Sequence, residues 1–373
     1  MQFPSQIQYT CSSGVQIRRS AMELVYSRAT DELTRALNEH KGVLLASSFE
    51  YPGRYTRWDI GFVNPPLQII ARGRDLTVEA LNQRGKILLP EIYFSLQHCA
   101  AIDELEATDE NITVVIRNDD HELAEELRSK RPSVFSVLRE IVSQFQSPQD
   151  PYLGLYGAFG YDLTFQFEDV DRHQSRTPDE RDMVLYLPDQ ITVADHRVEK
   201  SICYSYEFNC GSWQSEKKTE TTGGFKRNGE SCAYAPAIQV AKDCDHQPGE
   251  FARQVEKAKE YFKTGDLFEV VPGQCFYEPC KDSPAEVFSR LKKNNPAPYG
   301  ALMNLGKQEY LVAASPEMFV RVDGQKIETC PISGTIRRGE DAISDAQQIR
   351  TLLNSAKDES ELSMCTDVDR NDK

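Results

Sequence analysis

Short apolar runs bounded by glycine or proline recur in both halves of this 373-residue chain, and they restrict its fold more than any other feature. "GVLLASSFEY" (42–51) and "LQIIARG" (67–73) read as strands in the first half, and "DLFEVVPGQCFYE" (266–278) and "YLVAAS" (310–315) in the second. Helical patterns lie between them. In "AMELVYSRATDELTRALNEH" (21–40), Met22, Val25, Leu33 and Leu37 fall near a 3.6-residue period. Phe251, Val255, Ala258 and Phe262 mark a helix that Gly265 ends. "SPAEVFSRLKK" (283–293) carries a capping box, with Ser283 as N-cap, Pro284 at the first helical position and Glu286 at the third. "MFVRVDGQKIETCPI" (318–332) predicts a hairpin turning at Asp323-Gly324, and residues 344–372 predict one long helix or two abutting ones.

Strands and helices mixed in this way, in a chain long enough for a substantial core, predict an α+β fold. Residues 211–249, rich in Gly, Ser, Thr, Lys and Glu and without a sustained period, read as a linker between a region 1–210 and a region 250–373. In "PYLGLYGAFGYDLTFQFE" (151–168), Gly154, Gly157 and Gly160 recur every third residue. No Lys-Ser/Thr follows them, so they read as sites of close backbone packing rather than a phosphate loop. The ten cysteines show no C-x-x-C pair and no histidine at zinc-ligand spacing, which predicts free thiols in a reducing compartment. The first residues lack an apolar signal region, and no run approaches the length of a membrane span. A cytoplasmic protein is expected. A net charge of −15 disfavours nucleic acid and anionic membranes as partners, and an anionic substrate would need a metal ion or a few placed cations to offset that field.

Five tracts of the second half, "GDLFEVVPGQCF", "NNPAPYGALMNLG", "AASPEMFV", "PISGTIRRG" and "KDESELSMCTDVDRND", resemble in order and spacing the chorismate-utilising enzymes. In the first half, "LLASSFEYPGRYTRWDI" and "GLYGAFGYDLTFQFE" resemble the N-terminal region of anthranilate synthase component I, and "SSFEYPGRYTRWDI" and "GDLFEVVPGQCF" resemble most the form fused to its glutamine amidotransferase. The resemblance implies two intertwined halves of packed antiparallel sheets with helices outside. It also implies a reaction: chorismate and ammonia, delivered from glutamine by an amidotransferase domain or subunit, give anthranilate and pyruvate with Mg2+ required, in tryptophan biosynthesis.

Carried over residue by residue, the resemblance makes Glu361 a metal ligand, with Asp358 beside it where most members have glutamate. Carboxylates three apart share one helix face, and hard oxygen donors suit Mg2+. Gly334 and Thr335 match the substrate loop, Thr335 contributing its hydroxyl. Glu269 stands where isochorismate and salicylate synthases place a lysine that activates water, which favours ammonia as nucleophile. Ser333 stands where common aminodeoxychorismate synthases carry a nucleophilic lysine. Ser47, Asn295, Pro296, Pro298 and Tyr299 match the pocket for tryptophan as feedback inhibitor. Ala46 replaces the glutamate usual before that serine.

Relatives continue past "DRND" with a second metal-binding glutamate, a histidine for acid–base work and the groups that clamp the substrate's carboxylates. A chain ending at Lys373 is therefore expected to be truncated and inactive alone, with an uncovered sheet edge. The competing readings are an aminodeoxychorismate or aminodeoxyisochorismate synthase, and a non-catalytic truncated homologue that binds tryptophan.

Overall fold

The apolar runs of the first half pair into two antiparallel sheets, and two strands from the second half extend one of them. A computed structural model describes residues 6–48, 57–118, 130–168, 170, 175–211 and 219–372. Part of the tract 47–60, part of the 211–249 segment and Lys373 lie outside the described residues.

The larger sheet has nine strands. Its main path runs β1 (Gln6–Thr10), β2 (Gln16–Leu24), β12 (Lys200–Cys210), β11 (Gln190–Asp195), β4 (Trp58–Val63), β3 (Gly42–Ala46), β14 (Tyr299–Asn304) and β15 (Tyr310–Ser315). A two-residue strand, β13 (Glu220–Thr221), pairs with β12. The second sheet has six, in the order β7 (Ile102–Ala107), β8 (Asn111–Ile116), β6 (Asp75–Ala80), β5 (Leu67–Arg72), β10 (Met183–Leu187) and β9 (Tyr156–Phe159). The intertwining is literal: β14 pairs with β3, Gly300 opposite Ala46 and Leu302 opposite Leu44.

The core fills the space between the sheets. Ile17, Tyr204, Tyr206 and Phe208 from the large sheet meet Leu67, Ile69, Met183 and Leu185 from the small one. A second patch, with Val43, Phe62, Val184, Tyr186, Ala301 and Met303, continues it under the strands of the second half. β10 is buried along its whole length, as a strand covered on both faces must be. Helices α2 (Gln83–Leu96) and α3 (Val134–Phe145) pack against this core through Leu88, Ile92, Val137 and Ile141. On the outer face of the large sheet, α1 (Asp31–Ala36) and α5 (Pro284–Asn294) cover Leu44, Ala46 and Leu302 with Leu33, Leu37, Ala285 and Phe288.

Gly157 shows why glycine recurs in 154–160. A Cβ built there would sit 2.0 Å from the Val184 carbonyl oxygen on β10, and one at Gly160 would sit 2.9 Å from that of Asp182. Gly154 has open space around it. Gly157→Ala must therefore push β9 off β10, and we expect a loss of about 1–3 kcal/mol, measured by chemical denaturation against Gly154→Ala as a neutral control.

Three sequence expectations are corrected. Residues 21–24 belong to β2 rather than a helix, and Met22 and Val25 are 60% and 68% exposed. Strand pairing to β12 from Gln16 to Leu24 overrides the apparent helical period, which survives only at buried Leu33 and Leu37. Residues 266–278 form no strand. Among the described residues their strand-like pairing is an isolated bridge between Phe276 and Cys244, and a strand needs a neighbour's ladder to satisfy its backbone. The hairpin of β16 (Met318–Asp323) and β17 (Lys326–Cys330) pairs Asp323 with Lys326, so its turn is Gly324-Gln325, one residue later than expected, with Gly324 at φ 59°.

α4 (Glu250–Thr264) ends at left-handed Gly265 and α5 begins with the Ser283–Glu286 capping box. Residues 344–372 resolve into α6 (Ala342–Leu353) and α7 (Ala356–Asp372), abutting at Asn354. Residues 219–234 lie along the first half: Thr222 is fully buried against Phe208, and the amides of Cys232 and Tyr234 donate to the carbonyls of Glu39 and Asn38. Among the described residues, no helix is long and apolar enough to cross a membrane.

Candidate functional site

The residues singled out in the sequence gather in two places. One is the seam between β3 and the α5–β14 connection. Ser47 follows β3 directly and is 8% exposed, while Asn295 caps the end of α5 and the chain passes through Pro296, buried Ala297 and Pro298 into Tyr299 of β14. Ser48 and Ala297 close this seam. The Ser48 amide donates to the Ala297 carbonyl at 3.0 Å, and the Ala297 amide donates to Ser48 Oγ at 3.1 Å. Asn295 and Pro296 are exposed, and Pro298 and Tyr299 are half-buried. A small gap beside the seam is lined by Ala46, Ser48, Phe288, Lys292 and Gly300.

Behind Ser47 stands Asp59 of β4, 2% exposed. Its Oδ1 accepts the Ser47 amide at 2.8 Å and lies 2.9 Å from His196 Nε2, and its Oδ2 is 3.3 Å from Lys292 Nζ on α5. His196 Nδ1 in turn meets the Tyr26 hydroxyl at 2.8 Å. Burial pushes the Asp59 carboxyl up, but His196, Lys292 and the Ser47 amide together hold it below the usual carboxylate range. A carboxylate depressed in the folded state adds stability above its unfolded value of about 4 and loses it as pH falls through the folded value. The thermal-stability gap between wild type and Asp59→Asn should therefore be full at neutral pH and shrink below about pH 4, read from melting curves across pH. A gap constant with pH would contradict it.

The second place is the face of α7 against the "PISGT" loop. Gly334 has φ 75°, and a Cβ built on it would lie 2.8 Å from Asp358 Oδ1, so the loop backbone rests directly on the Asp358 side chain. The Ser333 Oγ beside Gly334 is buried and makes no hydrogen bond among the described residues. Lys357 Nζ bridges the two carboxylates, 3.3 Å from Asp358 Oδ1 and 2.8 Å from Glu361 Oε2. The hydrogen bond from Lys357 above all holds Glu361 below the usual range, and Asp358 is lowered by its bond to Ser355 and by Lys357. Burial first, and then the charges of Glu269, Glu361, Asp369 and Glu317, push the Cys365 thiol up. Thr335 is exposed.

Gly334, Asp358 and Glu361 thus come together, and Glu269 is tied to this face only through its charge acting on Cys365. Among the described residues, no three His, Cys, Asp or Glu side chains are placed to hold a metal ion. Two carboxylates on one helix face nonetheless fit Mg2+ in kind, since that ion is commonly bound by one or two carboxylates and completes its shell with water and substrate oxygens. Lys357 shows that the pair already collects positive charge.

Sequence reasoning missed Asp59, His196 and Lys292. Asp59 lies in the quoted "RYTRWDI" tract, but nothing local marks it. Its partners lie 12, 137 and 233 residues away in sequence and meet only through β3, β11 and α5.

The chain matches the family model described as chorismate binding enzyme over residues 97–372. It is 47% identical over 367 residues to a protein named anthranilate synthase from Azospirillum brasilense, an alignment covering 98% of this chain and 49% of that protein. It is 28% identical to anthranilate synthase component 1 from Buchnera aphidicola subsp. Pemphigus spyrothecae, over 93% of this chain and 68% of that one. The chain thus spans about half the length of the Azospirillum relative and two thirds of the Buchnera one. Its fold is like that of the crystal structure of anthranilate synthase component I from Streptococcus pneumoniae TIGR4. That similarity has a TM-score of 0.51 and 19% identity, covering 87% of this chain and 63% of that one. With the model matched from the second sheet through α7, the chain belongs to the chorismate binding enzyme family.

Proposed function

We propose that this chain forms the chorismate-handling region of an anthranilate synthase, which converts chorismate and ammonia to anthranilate and pyruvate. The observation that carries this reading is the 47% identity to the Azospirillum anthranilate synthase along 98% of the chain. Ser333 and Glu269, neither of them lysine, add to it: the first offers no amine nucleophile and the second no lysine base for water.

Asp358 and Glu361 would hold Mg2+, which when bound supplies a positive charge to neutralise a substrate carboxylate and stabilise developing charge. Gly334, at positive φ and without a side chain, lets the loop backbone approach the carboxylate face, and its amide and that of Thr335 would bind the substrate together with the Thr335 hydroxyl. Glu269 would orient the incoming ammonia by accepting one of its hydrogens. Lys357 would hold the two carboxylates together before the ion arrives. We assign the ammonia source to a glutamine amidotransferase domain or subunit, and tryptophan as inhibitor to Ser47, Asn295, Pro296, Pro298 and Tyr299. Residues 1–210 and 250–373 are the two regions concerned, joined through 211–249, and the cytoplasm is the compartment.

Complementation tests the reading. The gene product carrying this sequence should restore growth without tryptophan to a bacterial strain lacking component I and supplied with ammonium. Failure there, with rescue of a para-aminobenzoate auxotroph instead, would replace the reading by an aminodeoxychorismate synthase.

A further inference from the structure

We propose that Asp59 is the positioning residue of the inhibitor seat, a single buried carboxylate that locks the Ser47–Ser48 segment to both halves of the chain at once. This rests on the assignment of that seam to tryptophan.

Four observations converge on it. Asp59 is 2% exposed, so its charge persists only because cations and amide donors surround it. Its Oδ1 holds the Ser47 amide at 2.8 Å, fixing the backbone just where β3 ends. Its Oδ2 takes Lys292 from α5, the helix whose C-terminal residue opens the Asn295–Tyr299 segment. Through His196 it reaches Tyr26, just past the end of β2.

Both walls of the seam are therefore referred to one carboxylate: the Ser47 wall by a backbone bond, the 295–299 wall through Lys292. The Ser48–Ala297 exchange then sets their separation. A ligand seated between them meets walls already in place, and loss of the brace makes binding bear the cost of ordering them. Lys292 also lines the small gap beside Ala46, Ser48 and Gly300, so a change at the brace reaches the seat directly. A residue that only stabilised the sheet would lower the melting temperature without changing the affinity for ligand in the folded fraction.

The test uses the purified chain and its Asp59→Asn, Lys292→Met and Lys292→Arg variants, each read by calorimetric titration with tryptophan and by amide hydrogen exchange over the peptide containing Ser47. Asp59→Asn should weaken tryptophan binding on the order of tenfold and speed exchange at Ser47 by a similar factor. Lys292→Met should do so to a smaller degree, with Lys292→Arg close to wild type. Should Asp59→Asn fail to fold, the two Lys292 variants still decide the question. Unchanged exchange at Ser47 in the folded variants overturns the positioning role, whatever the titration shows. Faster exchange with unchanged tryptophan affinity overturns the link to the seat. If wild type gives no heat with tryptophan at millimolar concentration while exchange responds as predicted, the tryptophan assignment falls, and with it the proposal as a device for that ligand.

Discussion

Glu361→Gln, in the gene product carrying this sequence, is expected to lower Mg2+-dependent anthranilate formation on the order of a hundredfold or more, because the proposed Mg2+ site would lose a ligand and with it several kcal/mol of charge stabilisation. The change is nearly isosteric. It removes the negative charge that Lys357 now holds on Glu361 and leaves the rest of α7 untouched. Glu361 is half-exposed, so its loss should cost little stability, and the melting temperature serves as the control. Asp358→Asn should have the smaller effect, since its shorter arm reaches less far from the helix and Gly334 presses against it. Near-wild-type rates for Glu361→Gln at limiting Mg2+ would remove it from the metal site.

Arg84→Met is expected to cost about 3–5 kcal/mol of stability, the penalty of leaving a buried charge without its partner. Arg84 is fully buried in the first turn of α2. Its guanidinium bonds to Asp189 and, at 3.0 Å, to Glu207. It also donates to the carbonyls of Tyr206 at 2.7 Å and Thr222 at 2.6 Å. Without it, Asp189, 2% exposed, keeps only Arg227 at 3.6 Å, and burial drives its carboxyl toward the neutral form. Two backbone carbonyls each lose a donor as well, Tyr206 keeping Arg227 and Thr222 keeping the Phe225 amide. The double variant Arg84→Met/Asp189→Asn should lose clearly less than the two single losses combined, because the unpaired charge is gone. Chemical denaturation measures both, and strict additivity would mean that the pair is not coupled. Because Thr222 and Arg227 belong to the segment after β12, this ion cluster also fastens that segment to the first half.

What the sequence disclosed follows a physical division. α5 was legible because its start is a local chemical device, Ser283 and Glu286 closing each other's backbone groups, and α4 because Gly265 ends it at positive φ. β3, β5 and β15 were legible because short apolar runs stood between turn residues. Residues 21–24 were misread because Met22 and Val25 mimic a helical stripe while pairing with β12, some 180 residues later, decides the matter. Residues 266–278 carry strand composition, yet composition supplies no hydrogen-bond partner. The Gly334, Asp358 and Glu361 grouping could be anticipated from a resemblance and from i, i+3 spacing. The Asp59 brace could not, since a buried carboxylate is recognisable only once β3, β11 and α5 are placed around it.

The central claim is that this chain belongs to an enzyme that makes anthranilate from chorismate, and the most direct measurement is the product itself. The gene product carrying this sequence, incubated with chorismate, ammonium and Mg2+, should yield anthranilate by its fluorescence and equimolar pyruvate, with both lost on chelation of the metal. A para-amino product, an amino acid whose ring is not aromatised, or consumption of chorismate without nitrogen in the product would contradict the account.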